Sequence, residues 1–114
     1  MAAGYVLGVD FGTTHTVAAV RDNTGSRVLL LDGGESLLPS CVLASETGDL
    51  VAGRVAQRSA GYHPEMFLAH PKRHIDDDSY LFGRTEIPLS AVIATVLAKV
   101  AITADNGISV RPKR

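Results

Sequence analysis

The stretch VLGVDFGTTHTVAAV, residues 6–20, decides how this chain folds. An apolar run ends in the carboxylate of Asp10 and is followed by Gly12, two threonines and a histidine before the sequence becomes apolar again. Short runs rich in Val and Leu on both sides of a glycine are typical of two strands joined by a turn. The pattern predicts a buried strand over Tyr5–Asp10 and a hairpin partner over His15–Arg21.

The following part of the chain alternates between short apolar runs and turn-forming residues. A third strand is predicted over Arg27–Leu31, and two further short strands in SCVLAS, residues 40–45, and LVA, residues 50–52. The segment RVAQRSAG, residues 54–61, has helical spacing of its apolar residues and a glycine at its end. Residues 62–78 contain two prolines and polar clusters, which indicate a loop with one helical turn at most.

The clearest helix begins at Pro88, a residue well suited to the first helical turn. Its apolar residues recur at the spacing of one helix face. The helix is predicted to end near Asn106-Gly107. The residues expected on the buried face are Leu89, Val92, Ile93, Val96, Leu97 and Val100.

Composition narrows the classes of function. The 114 residues are 46% hydrophobic and 20% charged, which predicts a folded chain of one small or partial domain. A net charge of -1 argues against a nucleic-acid partner. The basic residues Arg111, Lys113 and Arg114 are typical of a solvated tail. Without a signal-peptide pattern or a membrane-spanning run, and with Cys41 as its only cysteine, the chain is expected in the cytoplasm and away from membranes.

The turn after the first strand carries groups that can hold phosphate. Gly12 allows a turn that a side chain would obstruct, and the amides that follow it can face an anion. Thr13 and Thr14 add hydroxyl donors, and Asp10 adds a hard oxygen ligand of the kind that meets hydrated Mg²⁺. The alternative is an ordinary turn with a capping aspartate. The sequence has neither the P-loop pattern nor the Gly-x-Gly-x-x-Gly pattern.

The segment GVDFGTTHTVAAV resembles the first phosphate motif of the actin, sugar-kinase and 70-kDa heat-shock protein superfamily. Within it, LVAGRVAQRSAGYHPEMFLAHPKRHID resembles a segment of the heat-shock (DnaK-like) branch that sugar kinases do not share. LPSCV resembles that branch's Thr-Pro-Ser-Tyr-Val, and the helix from Pro88 to Asp105 resembles its next long helix. Residues that keep the branch's order and spacing are Gly53, Ala56, Pro64, Lys72, Arg73 and Ile75.

The resemblance implies an α/β fold, the N-terminal lobe fragment of a ribonuclease-H-like (actin-like) ATPase domain, with a mixed sheet and flanking helices. It implies that residues 1–38 form the β-rich core with the first phosphate motif, residues 39–88 a peripheral subdomain, and residues 89–106 a helix. It also implies ATP or ADP with Mg²⁺ as ligands.

The resemblance assigns roles to individual residues. Asp10 would hold Mg²⁺ through water, and Lys72 would be the catalytic lysine near the γ-phosphate. The phosphates would be contacted by Gly12, Thr13, Thr14 and the backbone of His15. On spacing alone, Lys72 reads as an exposed loop lysine.

Three positions depart from the branch's usual residues. His15 stands where tyrosine is common, Pro71 where alanine is usual, and Asp76 where glycine is usual. Pro71 restricts its own φ and favours an extended His70, so the lysine segment is expected to lie differently. The run Asp76–Asp78 is typical of a solvated loop rather than a metal site.

The second phosphate motif of the branch, Asp-x-Gly-Gly-Gly-Thr, does not occur in these residues. We therefore expect a Mg-ATP half-site of a chaperone-type ATPase that hydrolyses ATP negligibly alone, because positioning by both halves drives phosphoryl transfer. Expected partners are nucleotide, a complementary lobe, a co-chaperone or a client protein. The alternatives are a non-catalytic protein-binding module, and a fragment of another actin-like or sugar-kinase ATPase.

Overall fold

The computed structural model describes residues 4–109, which form a mixed α/β fold of three small antiparallel sheets and two α-helices. Two short 3₁₀ helices lie between the two α-helices. The strands are β1 Val6–Phe11, β2 His15–Asp22, β3 Gly25–Val28, β4 Leu38–Pro39, β5 Val42–Ala44, β6 Leu50–Ala52, β7 Phe67–Leu68, β8 Ser79–Phe82 and β9 Thr85–Pro88. The helices are α1 Arg54–Ser59, the 3₁₀ helices Pro64–Met66 and Pro71–His74, and α2 Leu89–Ser109.

The first sheet contains the predicted hairpin. Strand β2 lies between β1 and β3 and also pairs with the short β4, always antiparallel. Alternate residues of β2, Thr16, Ala18 and Val20, are buried against the core. The opposite face of β2 pairs with exposed positions of its neighbours. The predicted hairpin is therefore present, and the alternate burial along β2 follows from the two faces of a strand.

The burial predicted for the first strand is wrong. Strand β1 is at the edge of the sheet, and only the face that carries Leu7 and Phe11 packs against the core. On the opposite face the side chain of Val6 is 68% exposed, and Val9, which shares the face of Leu7 and Phe11, is itself 40% exposed. A run of apolar residues predicts a strand, but the burial of the strand depends on what covers each of its faces. No described residue covers the face that carries Val6.

The second sheet has the order β6-β5-β7 and carries α1 at one end. Gly53 precedes α1 with a φ of 91°, a left-handed conformation that favours glycine. A Cβ at this position would lie 2.5 Å from Oδ2 of Asp32. That same carboxylate oxygen accepts the backbone N–H of Arg54 at 2.7 Å, and Oδ1 lies 3.7 Å from Nζ of Lys99. The buried Asp32 thus joins the start of α1 to α2.

Helix α2 supplies one wall of the single hydrophobic core. Its side chains Val92, Val96, Val100 and Ala104 are fully buried, as the helical spacing predicts, whereas Leu97 is 39% exposed. By length and composition alone, residues 89–106 would also be long and apolar enough to cross a membrane, a criterion that core helices of soluble proteins meet as well. The helix continues past the predicted end to Ser109.

Other segments differ from the predictions. The third strand is Gly25–Val28 rather than Arg27–Leu31. The predicted loop over residues 62–78 contains both 3₁₀ helices and β7. The β8–β9 hairpin was not predicted, and its turn is built around Gly83 with a φ of 59°. The basic residues Arg111, Lys113 and Arg114 lie outside the described residues.

Candidate functional site

The β1–β2 loop, Gly12–Thr14, is a tight turn at one end of the first sheet. The N–H of Gly12 donates to the carbonyl of His15 at 3.0 Å. A Cβ at Gly12 would lie 2.5 Å from that same carbonyl oxygen, closer than non-bonded atoms tolerate. Glycine is therefore required here by the close approach of two backbone segments.

Two carbonyls of the β1–β2 loop, those of Thr13 and Thr14, accept hydrogen bonds from protein donors. The carbonyl of Thr14 accepts the N–H of Ser40 at 2.9 Å. The hydroxyl of Ser40 is buried and lies 2.9 Å from the hydroxyl of buried Thr16, which fixes the β4 segment beneath the loop. Within residues 4–109, the N–H groups of Thr13 and Thr14 donate to no protein acceptor, so both are available to an anion.

The lysine turn, Pro71–His74, is the second 3₁₀ helix and packs against α2. Pro71 is fully buried at its start, and Lys72 is exposed immediately after it. His70 has φ -136° and ψ 74°, outside the helical region that a following proline disfavours but short of the extended geometry that was expected. Pro71 therefore starts a defined turn that presents Lys72 to solvent.

The structure brings the lysine turn to the β1–β2 loop through His70. Nδ1 of His70 lies 3.2 Å from the carbonyl oxygen of Thr13, a residue 57 positions earlier in the chain. Two segments that the sequence singled out separately are thus in hydrogen-bond contact.

Asp10 lies on the outward face of β1, next to the β1–β2 loop. Within residues 4–109, neither Asp10 nor Lys72 forms an ion pair, and no group of three or more His, Cys, Asp or Glu side chains is placed to hold a metal ion alone. A lone exposed carboxylate fits Mg²⁺ only as one partner of a hydrated ion that phosphate oxygens also bind. The donor set fits a Mg-nucleotide and not an all-protein metal cage.

Two other features of the sequence, the run Asp76–Asp78 and Cys41, are explained by their structural surroundings. The run Asp76–Asp78 is an exposed turn, in which Asp77 lies 3.0 Å from Nδ1 of His74. The thiol of Cys41 is buried and donates to the carbonyl of Gly53 at 3.3 Å. Burial raises the pKa of this thiol, so Cys41 behaves as a core residue.

Sequence reasoning missed His70 and Ser40 as residues that shape the site. Ser40 lay within a recognisable segment, LPSCV, but its contact to the β1–β2 loop depends on the pairing of β4 with β2. His70 was considered only for its backbone. Nothing in the spacing of the sequence could have placed its ring on a carbonyl 57 residues away.

Comparison with known proteins places the chain in a family. The family model described as "Hsp70 protein" matches residues 6–106. The chain is 30% identical over 108 residues to "Chaperone protein DnaK" of Halobacterium salinarum, which covers 93% of this chain and 17% of that relative. It is 33% identical over 102 residues to "Chaperone protein dnaK" of Emiliania huxleyi, which covers 90% of this chain and 15% of that relative. The chain therefore spans less than a fifth of these relatives, and it belongs to the Hsp70 family.

Proposed function

We propose that this chain forms the part of an Hsp70-type ATPase that binds the phosphates of Mg-ATP. In this proposal Asp10 binds the magnesium ion through its waters. The phosphates lie against Gly12, Thr13, Thr14 and the backbone of His15. Lys72 is the catalytic lysine.

The observation that carries this proposal is the contact between the lysine turn and the β1–β2 loop. The hydrogen bond from His70 to the carbonyl of Thr13 joins the turn that carries the exposed Lys72 to a loop in which the amides of Thr13 and Thr14 have no protein acceptor among residues 4–109. Ammonium and free amides are the groups that hold phosphate oxygens. An ordinary turn with a capping aspartate does not account for this convergence.

The residues divide the chemistry between them. The N–H groups of Thr13 and Thr14 and the two hydroxyls bind and orient phosphate oxygens. The ammonium of Lys72 offsets charge that develops during phosphoryl transfer and orients the attacking water. Mg²⁺, when bound, neutralises phosphate charge.

The proposal extends to the fold and the partners. We assign the described chain to the N-terminal lobe of a ribonuclease-H-like domain, with residues 1–38 as its β-rich core, residues 39–88 as a peripheral subdomain and residues 89–106 as a helix. The relatives are named as chaperones, so client proteins, a co-chaperone and a complementary lobe are the proposed partners, and the cytoplasm the proposed location.

A titration of the isotopically labelled chain with Mg-ATP, followed by amide-resolved NMR, tests this proposal. Amide shifts are expected at Asp10–His15 and around Lys72. Lys72→Ala should weaken binding about tenfold, the effect of losing one charged hydrogen bond. Arg73→Ala removes the neighbouring exposed cation and should leave the affinity within about twofold, since nonspecific charge contributes little. Equal weakening by both substitutions, or shifts confined to other regions, would contradict the assignment.

A second candidate function is a protein-binding module that does not hydrolyse nucleotide. The outward face of the first sheet favours it, because Val6 and Val28 are each more than 60% exposed on that face. The same titration separates the two functions. A well-dispersed spectrum that Mg-ATP leaves unchanged would favour the protein-binding module over the nucleotide site.

A further inference from the structure

We propose that His70 is a positioning residue that aims the amide of Thr14 and fixes Lys72 relative to it. This inference rests on the proposed nucleotide site and deepens it, because it concerns how the two halves of that site are held together. It rests on the hydrogen bond between His70 and Thr13 and on the backbone geometry at each end of that bond.

The contact defines the protonation of the ring. Nδ1 of His70 lies 3.2 Å from the carbonyl oxygen of Thr13, and a carbonyl oxygen can only accept a hydrogen bond. Nδ1 therefore carries the proton. In the neutral ring this is the Nδ1–H tautomer, which leaves Nε2 without a proton.

The peptide bond transmits this contact to the candidate phosphate site. A trans peptide bond is planar, so the carbonyl of Thr13 and the N–H of Thr14 point in opposite directions from one rigid unit. The described residues contain no cis peptide bond. A donor that holds the carbonyl toward His70 therefore aims the Thr14 N–H away from it. The hydrogen bond also polarises that N–H and strengthens it as a donor to an anion.

The second end of the contact is the lysine turn. Pro71 follows His70 directly, is fully buried and has a fixed φ. The N–H of Arg73 donates to the carbonyl of His70 at 3.1 Å, and the N–H of Ile75 donates to that of Lys72 at 3.2 Å. The backbone of Lys72 therefore has little freedom to move relative to the ring of His70.

The other histidines have different surroundings. His63 is exposed, with Nδ1 4.0 Å from Oε1 of Glu65. His74 pairs with Asp77 and lies edge-on to the ring of Tyr80. Among the histidines of the described residues, His70 alone donates to the β1–β2 loop, which makes His63 a suitable control.

The test uses three variants of the chain. His70→Asn places an amide nitrogen where Nδ1 lies and keeps the donor. His70→Leu keeps a side chain of similar size and removes the donor. His63→Leu is the matched control. His70→Leu should weaken Mg-ATP binding about threefold to tenfold, the effect of one neutral hydrogen bond, while His70→Asn and His63→Leu bind within about twofold of the unmodified chain.

Two NMR measurements do not depend on nucleotide. A long-range ¹H–¹⁵N spectrum above the pH at which the ring is charged should show the proton of His70 on Nδ1. The ¹⁵N chemical shift of the Thr14 amide, which responds to hydrogen bonding at the Thr13 carbonyl, should change in His70→Leu but not in His70→Asn. If the unmodified chain does not bind Mg-ATP, the proposed function fails. These two measurements still decide whether the ring of His70 holds the carbonyl of Thr13.

A proton on Nε2 in the neutral ring would overturn the inference. So would a His70→Asn variant in which the ¹⁵N chemical shift of the Thr14 amide departs from that of the unmodified chain. If His70→Leu does not fold, the ring tautomer of the unmodified chain and the His70→Asn variant still test the inference, because both proteins keep the hydrogen-bond donor.

Discussion

Gly12 is the residue whose role is most sharply defined by the structure. Replacing it with alanine puts a Cβ 2.5 Å from the carbonyl oxygen of His15, and backbone on both sides must shift to relieve the contact. We expect Gly12→Ala to lower the free energy of unfolding by about 1–3 kcal/mol. We also expect it to abolish the Mg-ATP shifts at the β1–β2 loop, because the loop amides move with the backbone.

Gly8 offers the matched control on the same strand. A Cβ there would lie 4.0 Å from the carbonyl oxygen of Ala19, an ordinary contact. Gly8→Ala should change the free energy of unfolding by no more than about 0.5 kcal/mol. Urea denaturation of both variants, with nucleotide titration of each, checks the prediction. Equal stability of the two variants would show that the β1–β2 turn relaxes without cost.

At the scale of single residues, the sequence predicted which residues have candidate roles better than it predicted their contacts. The chemistry of the residue types predicted roles for Asp10 and Gly12 locally, whereas the role predicted for Lys72 came from the resemblance. The hydrogen bonds to the carbonyls of the β1–β2 loop come from Ser40 and His70, which are distant in the sequence. Such contacts are set by strand pairing and by the packing of a turn, and neither has a local signature.

At the scale of elements, one contact ties the first strand to the end of the last helix. The hydroxyl of Tyr5, next to β1, donates to Oδ1 of Asp105 in α2, across 100 positions of sequence. This hydrogen bond is the main cause that raises the pKa of Tyr5 above its ordinary value of 10.0, with desolvation and the charge of Asp105 adding to it.

The raised pKa predicts how stability depends on alkaline pH. The folded chain holds the phenolic proton more tightly than the unfolded chain, so the contribution of Tyr5 is fully present below pH 10.0. It is lost as the pH rises through the folded-state pKa. The melting temperature of the unmodified chain should therefore fall more steeply above pH 10.0 than that of Tyr5→Phe. Tyr62→Phe, at a residue that is 82% exposed, is the control and should keep the steep fall.

Parallel curves for the unmodified chain and Tyr5→Phe would contradict this prediction. Phenolate absorbance followed during the same titration gives an independent reading. Tyr5→Phe should remove the component that titrates at the highest pH.

Elements with strong periodicity were predicted well, and those that depend on turn chemistry were not. The buried face of α2 followed from the spacing of its valines, because a helix places every third or fourth residue on one side. The β8–β9 hairpin was missed because its strands carry charged and polar residues beside a single glycine, without a clear alternation. The hairpin is instead held to the core by Tyr80 and Phe82 of β8, whose rings meet edge-on and pack against core residues.

At the scale of the whole molecule, the sequence indicated the family and a mixed α/β fold, and the comparisons confirm the family. The exposure of the outward face of the first sheet could not be read from it. Apolar residues on β1 and β3 predict burial, yet within residues 4–109 nothing packs on the face that carries Val6 and Val28. A local pattern shows which residues of a strand can be buried. It does not show whether another element covers them.

The exposure of the candidate site to solvent determines the catalytic activity that we expect. Asp10, Thr14 and Lys72 are all exposed, so the candidate site cannot exclude water from a bound nucleotide. Phosphoryl transfer depends on positioning from several sides and on electrostatic contacts that solvent weakens. We expect the 114-residue chain to bind Mg-ATP weakly and to release phosphate at the background rate.

Phosphate release measured with saturating Mg-ATP checks this expectation against Lys72→Ala and Arg73→Ala. All three proteins should give the rate of the buffer control. A rate that exceeds the background and disappears only in Lys72→Ala would show that the described residues suffice for catalysis. The exposed loop and the lysine turn would then have to close around the nucleotide, since in their present arrangement the site remains open to solvent.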